Sequence, residues 1–222
     1  MDLKPGTKIA TPFQQLELDQ LTEDWELSRV LHLPADATIV VAGAYQGKLM
    51  QWFLERYPLC QVIGYEPAMW ALEAATQRLK PYSSTHAWEL KPWGLGIQNL
   101  NDAPMFDWET DGCTFMHRDD DRPQGTGSTK EANDQLLLDA HGGTIDLLVL
   151  NMEGFEWYLV PHIMGLMGGI VQSVAIQFHL QYMPSKSIYG SILQELDDRY
   201  LYHFNYFLPA WGLWTNVSAR ES

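Results

Sequence analysis

The sequence predicts an α/β protein with an open, mostly parallel sheet, helices on both faces and an antiparallel strand pair near the C-terminus. Three observations carry this reading. Two strand-turn-helix units follow one another over residues 38–79, and parallel neighbours of this kind need a helical crossover between them. Residues 145–150 read Ile-Asp-Leu-Leu-Val-Leu, apolar on nearly every position, as a strand covered by helices on both sides must be. Residues 202–217 are rich in aromatics around Leu208-Pro209-Ala210, the pattern of a hairpin.

The elements follow in order. Phe13, Leu16, Leu21, Trp25, Leu27, Val30 and Leu31 recur mostly at steps of three to five residues and predict a helix over 13–33. Thr38-Ile39-Val40-Val41-Ala42 is a short β-branched run, interrupted by Gly43 and Gly47 before a helical pattern over 48–57. After Pro58 the run Gln61-Val62-Ile63-Gly64-Tyr65 is a second buried strand, ending at Glu66-Pro67, with a helix over 68–79. One strand is placed within 85–95, and the Asp- and Gly-rich segment 107–128 reads as a long solvated loop able to cover a site. A helix over 130–141 stops at Gly142-Gly143, a helix or broken helix follows over 155–167, a strand over 173–178 and a helix over 189–199. No internal repeat is visible. The expected organisation is one domain over 1–222, with an N-terminal helical segment (1–37) and an α/β core (38–222).

Composition limits the partners. The chain has 222 residues, 46% hydrophobic and 19% charged, with 9 Trp, 10 Tyr and 8 Phe, enough to bury a sizeable core. Lys and Arg number 14 against 28 Asp and Glu, a net charge of −14. That field repels phosphate backbones and anionic lipid headgroups, so neither nucleic acid nor a membrane surface is an expected partner. Only Cys60 and Cys113 occur, without metal-ligand spacing or the density of a disulfide framework, which fits a reducing cytoplasmic setting and no metal centre. Residues 1–11 carry two lysines with no apolar stretch after them, so no signal peptide is expected. The apolar stretch 157–180 is broken by Pro161, His162, Gln172, Ser173 and Gln177, too polar to span a bilayer. His117-Arg118-Asp119-Asp120-Asp121 reads as a solvated charge run in preference to a metal site. Nothing in the sequence fixes an oligomeric state.

Open α/β sheets bind ligands beyond the carboxyl ends of their strands. The first such segment is Gly43-Ala44-Tyr45-Gln46-Gly47, whose glycines let backbone N–H groups approach a ligand at a helix N-terminus. Glu66 closes the next strand, roughly twenty residues beyond Gly47, where an acidic side chain accepts hydrogen bonds from ribose hydroxyls. Together they favour a nucleoside pocket over a plain turn. A nicotinamide-dependent oxidoreductase is disfavoured, because the first loop has no Gly-x-Gly start and no Tyr-x-x-x-Lys pair occurs. The third segment, Asn151-Met152-Glu153-Gly154-Phe155-Glu156, closes the 145–150 strand.

Gly-Ala-x-x-Gly, Glu-Pro after the second strand and Glu-Gly-x-Glu after a later one together resemble the FkbM-type class I S-adenosylmethionine-dependent methyltransferases, over about residues 38–179. The resemblance implies a Rossmann-like class I methyltransferase sheet of seven strands, mostly parallel with a reversed C-terminal strand. It implies S-adenosylmethionine bound by Gly43, Ala44, Tyr45, Gly47, Glu66, Pro67 and Asn151, with Trp93 where adenine commonly packs. It also implies a hydroxyl acceptor, a small molecule or glycan such as a sugar, lipid-linked or secondary-metabolite group. This chain departs from the family at Val41 and Asn151, where the family has Asp, at Tyr45, where it has Asn, and at Val149 and Gln177, where it has Lys and Glu. A nucleoside-binding module without catalysis is therefore the alternative. Glu153 and His179 are the candidates to take the acceptor proton. Glu153 could instead stabilise the following helix N-terminus, His179 could be a structural histidine, and Glu156 could hold the donor in place.

Overall fold

The computed structural model describes residues 33–108, 112–114, 125–205 and 210–216. The first unit is β1 (Thr38–Ala42), α1 (Lys48–Arg56), β2 (Gln61–Tyr65) and α2 (Met69–Leu79). Then come β3 (Ala87–Lys91), β4 (Gly94–Gly96), β5 (Leu100–Trp108), β6 (Gly112–Thr114) and β7 (Gly125–Glu131). The remainder is α3 (Ala132–Asp139), β8 (Leu147–Leu150), α4 (Glu156–Ile163), β9 (Ser173–Phe178), α5 (Lys186–Arg199), β10 (Tyr200–Asn205) and β11 (Ala210–Asn216).

Seven strands form the main sheet in the order β10-β11-β9-β8-β1-β2-β3. Six point the same way; β11 is antiparallel to both β9 and β10. Register keeps each face uniform. Val40 stands opposite Ile63 and Leu148, and Ala42 opposite Tyr65 and Leu150, so these residues share one core with α3, α4 and α5. Ile39, Val41, Val62, Leu147 and Val149 fill the other face against α1. Strands apolar at every position are thus explained by two cores rather than one.

Four sequence expectations are corrected. The segment 107–128 is not one solvated loop: β5 ends and β6 lies within it, and Gly125-Thr126-Gly127-Ser128 begins β7, which pairs with β4 and β5 in a second sheet of order β4-β7-β5-β6. Gly127 suits β7 because its missing side chain leaves room for Met105 and Pro67, and the Thr129 hydroxyl, buried, donates to the Gln98 carbonyl at 2.9 Å. Lys130 and Glu131 belong to that strand, and α3 starts only after Glu131, whose carboxylate accepts the Asn133 and Asp134 N–H groups as an N-cap. The span 85–95 contains two strands of different sheets, not one. In β11 of the C-terminal hairpin, Trp211, Leu213 and Trp214 are buried against β9 and the cores. The helix over 155–167 is broken, as α4 contains Pro161 and gives way to a single tight turn over Met164–Leu166. Helix α5 begins at Lys186, three residues earlier than read, capped by the Ser185 hydroxyl. All but the last residue of the 13–33 helix, and the 117–121 charge run, lie outside the described residues. Among the described residues no helix is long and apolar enough to cross a membrane.

Candidate functional site

The carboxyl ends of β1 and β2 meet in one tight arrangement. Gly43, Tyr45 and Gly47 all adopt positive φ, at +82°, +48° and +76°, so the chain reverses sharply before α1. A Cβ on Gly43 would stand 1.8 Å from the Asn151 carbonyl oxygen; only glycine lets the ends of β1 and β8 close in this way. The Gly43 and Ala44 N–H groups both donate to the Tyr65 carbonyl, at 3.1 and 3.0 Å. Arg78 of α2 donates from Nε to the Gln46 carbonyl at 2.8 Å and steadies the far side of the loop.

Glu66 is held by this loop and by its own turn. Its Oε2 accepts the Tyr45 N–H at 2.7 Å and its Oε1 the Ala68 N–H at 2.8 Å, while its own N–H donates to the Lys91 carbonyl at 3.1 Å. Burial pushes the carboxyl up to about 7, against the lowering effect of those two amides. Each oxygen retains a further lone pair, so the group can still accept from a vicinal diol. Pro67 follows directly, and the Tyr45 ring meets Trp70 edge-on at 5.3 Å.

At the ends of β8 and β9 an imidazole lies between two carboxylates. Glu156, fully buried, accepts the Gly154 N–H on Oε2 at 3.0 Å and, on Oε1, the His179 N–H at 2.7 Å and its Nδ1 at 2.8 Å. The other ring nitrogen, Nε2, lies 3.4 Å from Glu153 Oε2. Burial opposes charge on the imidazole, but the Glu156 and Glu153 carboxylates outweigh it and raise His179 well above 6.5. In turn burial of Glu153 is outweighed by the charge and hydrogen bond of His179, which hold its carboxyl below the ordinary value. The turn carrying Glu153 is strained in a defined way: φ is +50° at Glu153 and +102° at Gly154, and a Cβ on Gly154 would strike the Tyr182 ring at 2.5 Å. Glu153 is thus in the turn before α4, not at its cap, which is Phe155. Glu156 spends its hydrogen bonds on Gly154 and His179. Beside them Asn151 donates its N–H to the Ala42 carbonyl at 3.0 Å, while its Oδ1 is buried and no described group donates to it.

Trp93 packs against the core between β3 and β4, with Lys130 Nζ 5.9 Å from its ring centroid and its Nε1 buried without a described acceptor. Sequence reasoning missed two clusters. Lys91, Asp139 and the Tyr65 hydroxyl form a buried ion pair and hydrogen-bond set; Tyr65 donates to Asp139 Oδ2 at 2.5 Å and Lys91 donates to the Tyr65 oxygen at 3.1 Å. Its signal was Lys91 opposite Tyr65 in the β2–β3 register. Glu131, Asn133 and His162 join α3 to α4 through side-chain contacts. Among the described residues no group of three His, Cys, Asp or Glu stands ready to hold a metal ion.

Neither a family model nor a curated protein matches the sequence. Solved structures do. Methyltransferase FkbM from Methylobacillus flagellatus KT superposes with a TM-score of 0.59 at 14% identity, covering 86% of this chain and 46% of that one. The fold is that of the class I methyltransferases. A Methanococcus jannaschii fibrillarin pre-rRNA processing protein superposes with a TM-score of 0.50 at 8% identity, over 89% of this chain and 76% of that one. The chain thus spans less than half the length of the FkbM methyltransferase it matches. In this methyltransferase fold the glycine loop, Glu66, Asn151, Glu153 and His179 all follow strands of the main sheet at their carboxyl ends.

Proposed function

We propose that the protein is an S-adenosylmethionine-dependent methyltransferase that methylates a hydroxyl of a small-molecule or glycan acceptor in the cytoplasm. The observation that carries the reading is Glu66: a buried carboxylate at the end of β2, oriented by the amides of Tyr45 and Ala68, beside a glycine loop that admits no side chain at Gly43. These residues fit the nucleoside of the donor: Glu66 would accept from the ribose hydroxyls, with its carboxylate oriented by Tyr45 and Ala68. Bound there, S-adenosylmethionine would supply an already activated methyl group. The protein then has to orient the acceptor oxygen and take its proton.

Glu153 takes that proton. The His179 imidazolium is unsuited to accept one, since its Nδ1 is bound to Glu156 and its Nε2 faces Glu153. Its charge keeps Glu153 ionised, and Glu156 keeps the ring in place. A non-catalytic nucleoside-binding module is the second reading, favoured by the neutral Asn151 and Gln177. One experiment separates the two. The protein is incubated with labelled S-adenosylmethionine and a mixed pool of glycans and small hydroxyl compounds, with parallel thermal-shift titrations against S-adenosylhomocysteine and NAD. Transfer supports the enzyme; stabilisation by S-adenosylhomocysteine without transfer supports the module; stabilisation by NAD alone overturns both.

A further inference from the structure

The contacts of the second sheet land on the two backbone segments that hold Glu66. Met105 of β5 is 3% exposed and forms a buried cluster with Ala68 and Ala71, against which Tyr45 packs. On β7 a Cβ at Gly127 would stand 2.3 Å from Met105 Sδ and 3.1 Å from Pro67 Cβ. The absent side chain is the space in which the thioether lies. Tyr45 and Ala68 are the residues whose N–H groups bind Glu66. Tyr45 moreover sits at φ +48°, a conformation that an aromatic residue keeps only when its surroundings enforce it.

We propose that the β4–β7 sheet clamps the donor site and that Met105 is its positioning residue: lodged over Gly127 beside Pro67, it fixes Ala68 and Tyr45 and so the direction in which Glu66 presents its free lone pairs. Met105 acts through these neighbours and touches no reacting atom. Because coupling is reciprocal, a nucleoside bound at Glu66 tightens the sheet as much as the sheet tightens the nucleoside. The proposal rests on the donor reading above.

The test compares wild type with Met105→Ala, Met105→Leu and Gly127→Ala by calorimetric titration with S-adenosylhomocysteine and by amide hydrogen exchange of the free protein. Met105→Ala is expected to weaken binding by about tenfold and to speed exchange at Tyr45 and Ala68 by a similar factor, with exchange at Val40 and Leu148 in the main sheet unchanged. Met105→Leu, which refills the space, restores both to within about threefold. Gly127→Ala, which displaces the thioether without removing it, behaves like Met105→Ala. Wild-type affinity together with wild-type protection of the two amides in Met105→Ala and Gly127→Ala overturns the clamp. If wild type binds no S-adenosylhomocysteine, the donor reading falls, while exchange at Tyr45 and Ala68 still decides whether Met105 holds them. If Met105→Ala does not fold, the Gly127→Ala comparison decides.

Discussion

Glu156 and His179 are joined twice: one carboxylate oxygen accepts both the backbone N–H and the ring Nδ1 of the histidine, at 2.7 and 2.8 Å. The pair ties the first residue of α4 to the end of β9, so it fixes that helix against the sheet as well as the ring. Replacing Glu156 by Gln removes the buried charge and turns an amide donor toward Gly154 or His179, both already donors. The expected loss is about 3 kcal/mol, the cost of breaking a buried, hydrogen-bonded charge pair. Urea denaturation measures it. His179 is raised above 6.5 in the folded protein, so its contribution to stability is complete below 6.5 and is lost as pH climbs through the raised value. In Glu156→Gln that loss moves to lower pH, as an imidazole NMR titration alongside the denaturation series would show.

Glu153→Gln keeps the side chain's size while removing its ability to take a proton. Turnover is expected to fall by about a hundredfold, with donor affinity held within about threefold. Steady-state rates with calorimetric titration of S-adenosylhomocysteine check this. Lost donor affinity would make Glu153 a structural residue, and unchanged turnover would pass proton removal to water.

Donor binding should tighten as pH rises toward 7. Glu66 is raised from 4.5 to about 7 in the free protein, and ribose hydroxyls donate best to its ionised form, so binding releases a proton below that value and none above it. The same elevation means that the free protein loses stability between pH 4.5 and 7, where the unfolded chain ionises more readily. Calorimetry between pH 6 and 8 in buffers of different ionisation heat reads the proton directly. Glu66→Ala removes the pH dependence and weakens binding by about 1 to 3 kcal/mol.

Gly43→Ala and Gly142→Ala form a matched pair. Both glycines hold φ near +80°, but a Cβ at Gly43 meets the Asn151 carbonyl at 1.8 Å whereas Gly142 has nothing within 4 Å. The open site should cost only about 1 kcal/mol of backbone strain, and the closed one at least about 3 kcal/mol, because β1 must part from β8. Thermal unfolding of the two variants decides it.

Treatment with a chelator is expected to leave methyl transfer unchanged, since the described carboxylates and histidines at the strand ends are engaged with one another or with backbone amides. Restoration of lost activity by magnesium would recast Glu153 and Asn151 as metal ligands.

The strands β1, β2, β8 and β9 were legible because each is a short run dominated by apolar residues, and Gly43 and Glu66 were legible because ligand sites follow such strands. β7 was not. Its Gly-Thr-Gly-Ser start has a loop's composition, and the pairing with β5 and the contact with Pro67 are long-range facts that local pattern does not carry. The Glu156–His179 bond was hidden for a similar reason, since it depends on β8 and β9 lying side by side. Lys91 and Asp139 were hidden because lone charges are read as solvated, and here each buries only by meeting the other.

The place of β11 between β9 and β10 bears on biosynthesis. It follows both of its neighbours along the chain yet separates them, pairing Ala210 with Phe178 and Gly212 with both Ile176 and Asn205. Until that segment has left the ribosome, β9 offers an unpaired row of backbone groups directly before His179, open to any extended peptide nearby. The surroundings of His179 are therefore completed only once β11 has been made, and a nascent chain stalled before Ala210 would be a ready substrate for chaperones.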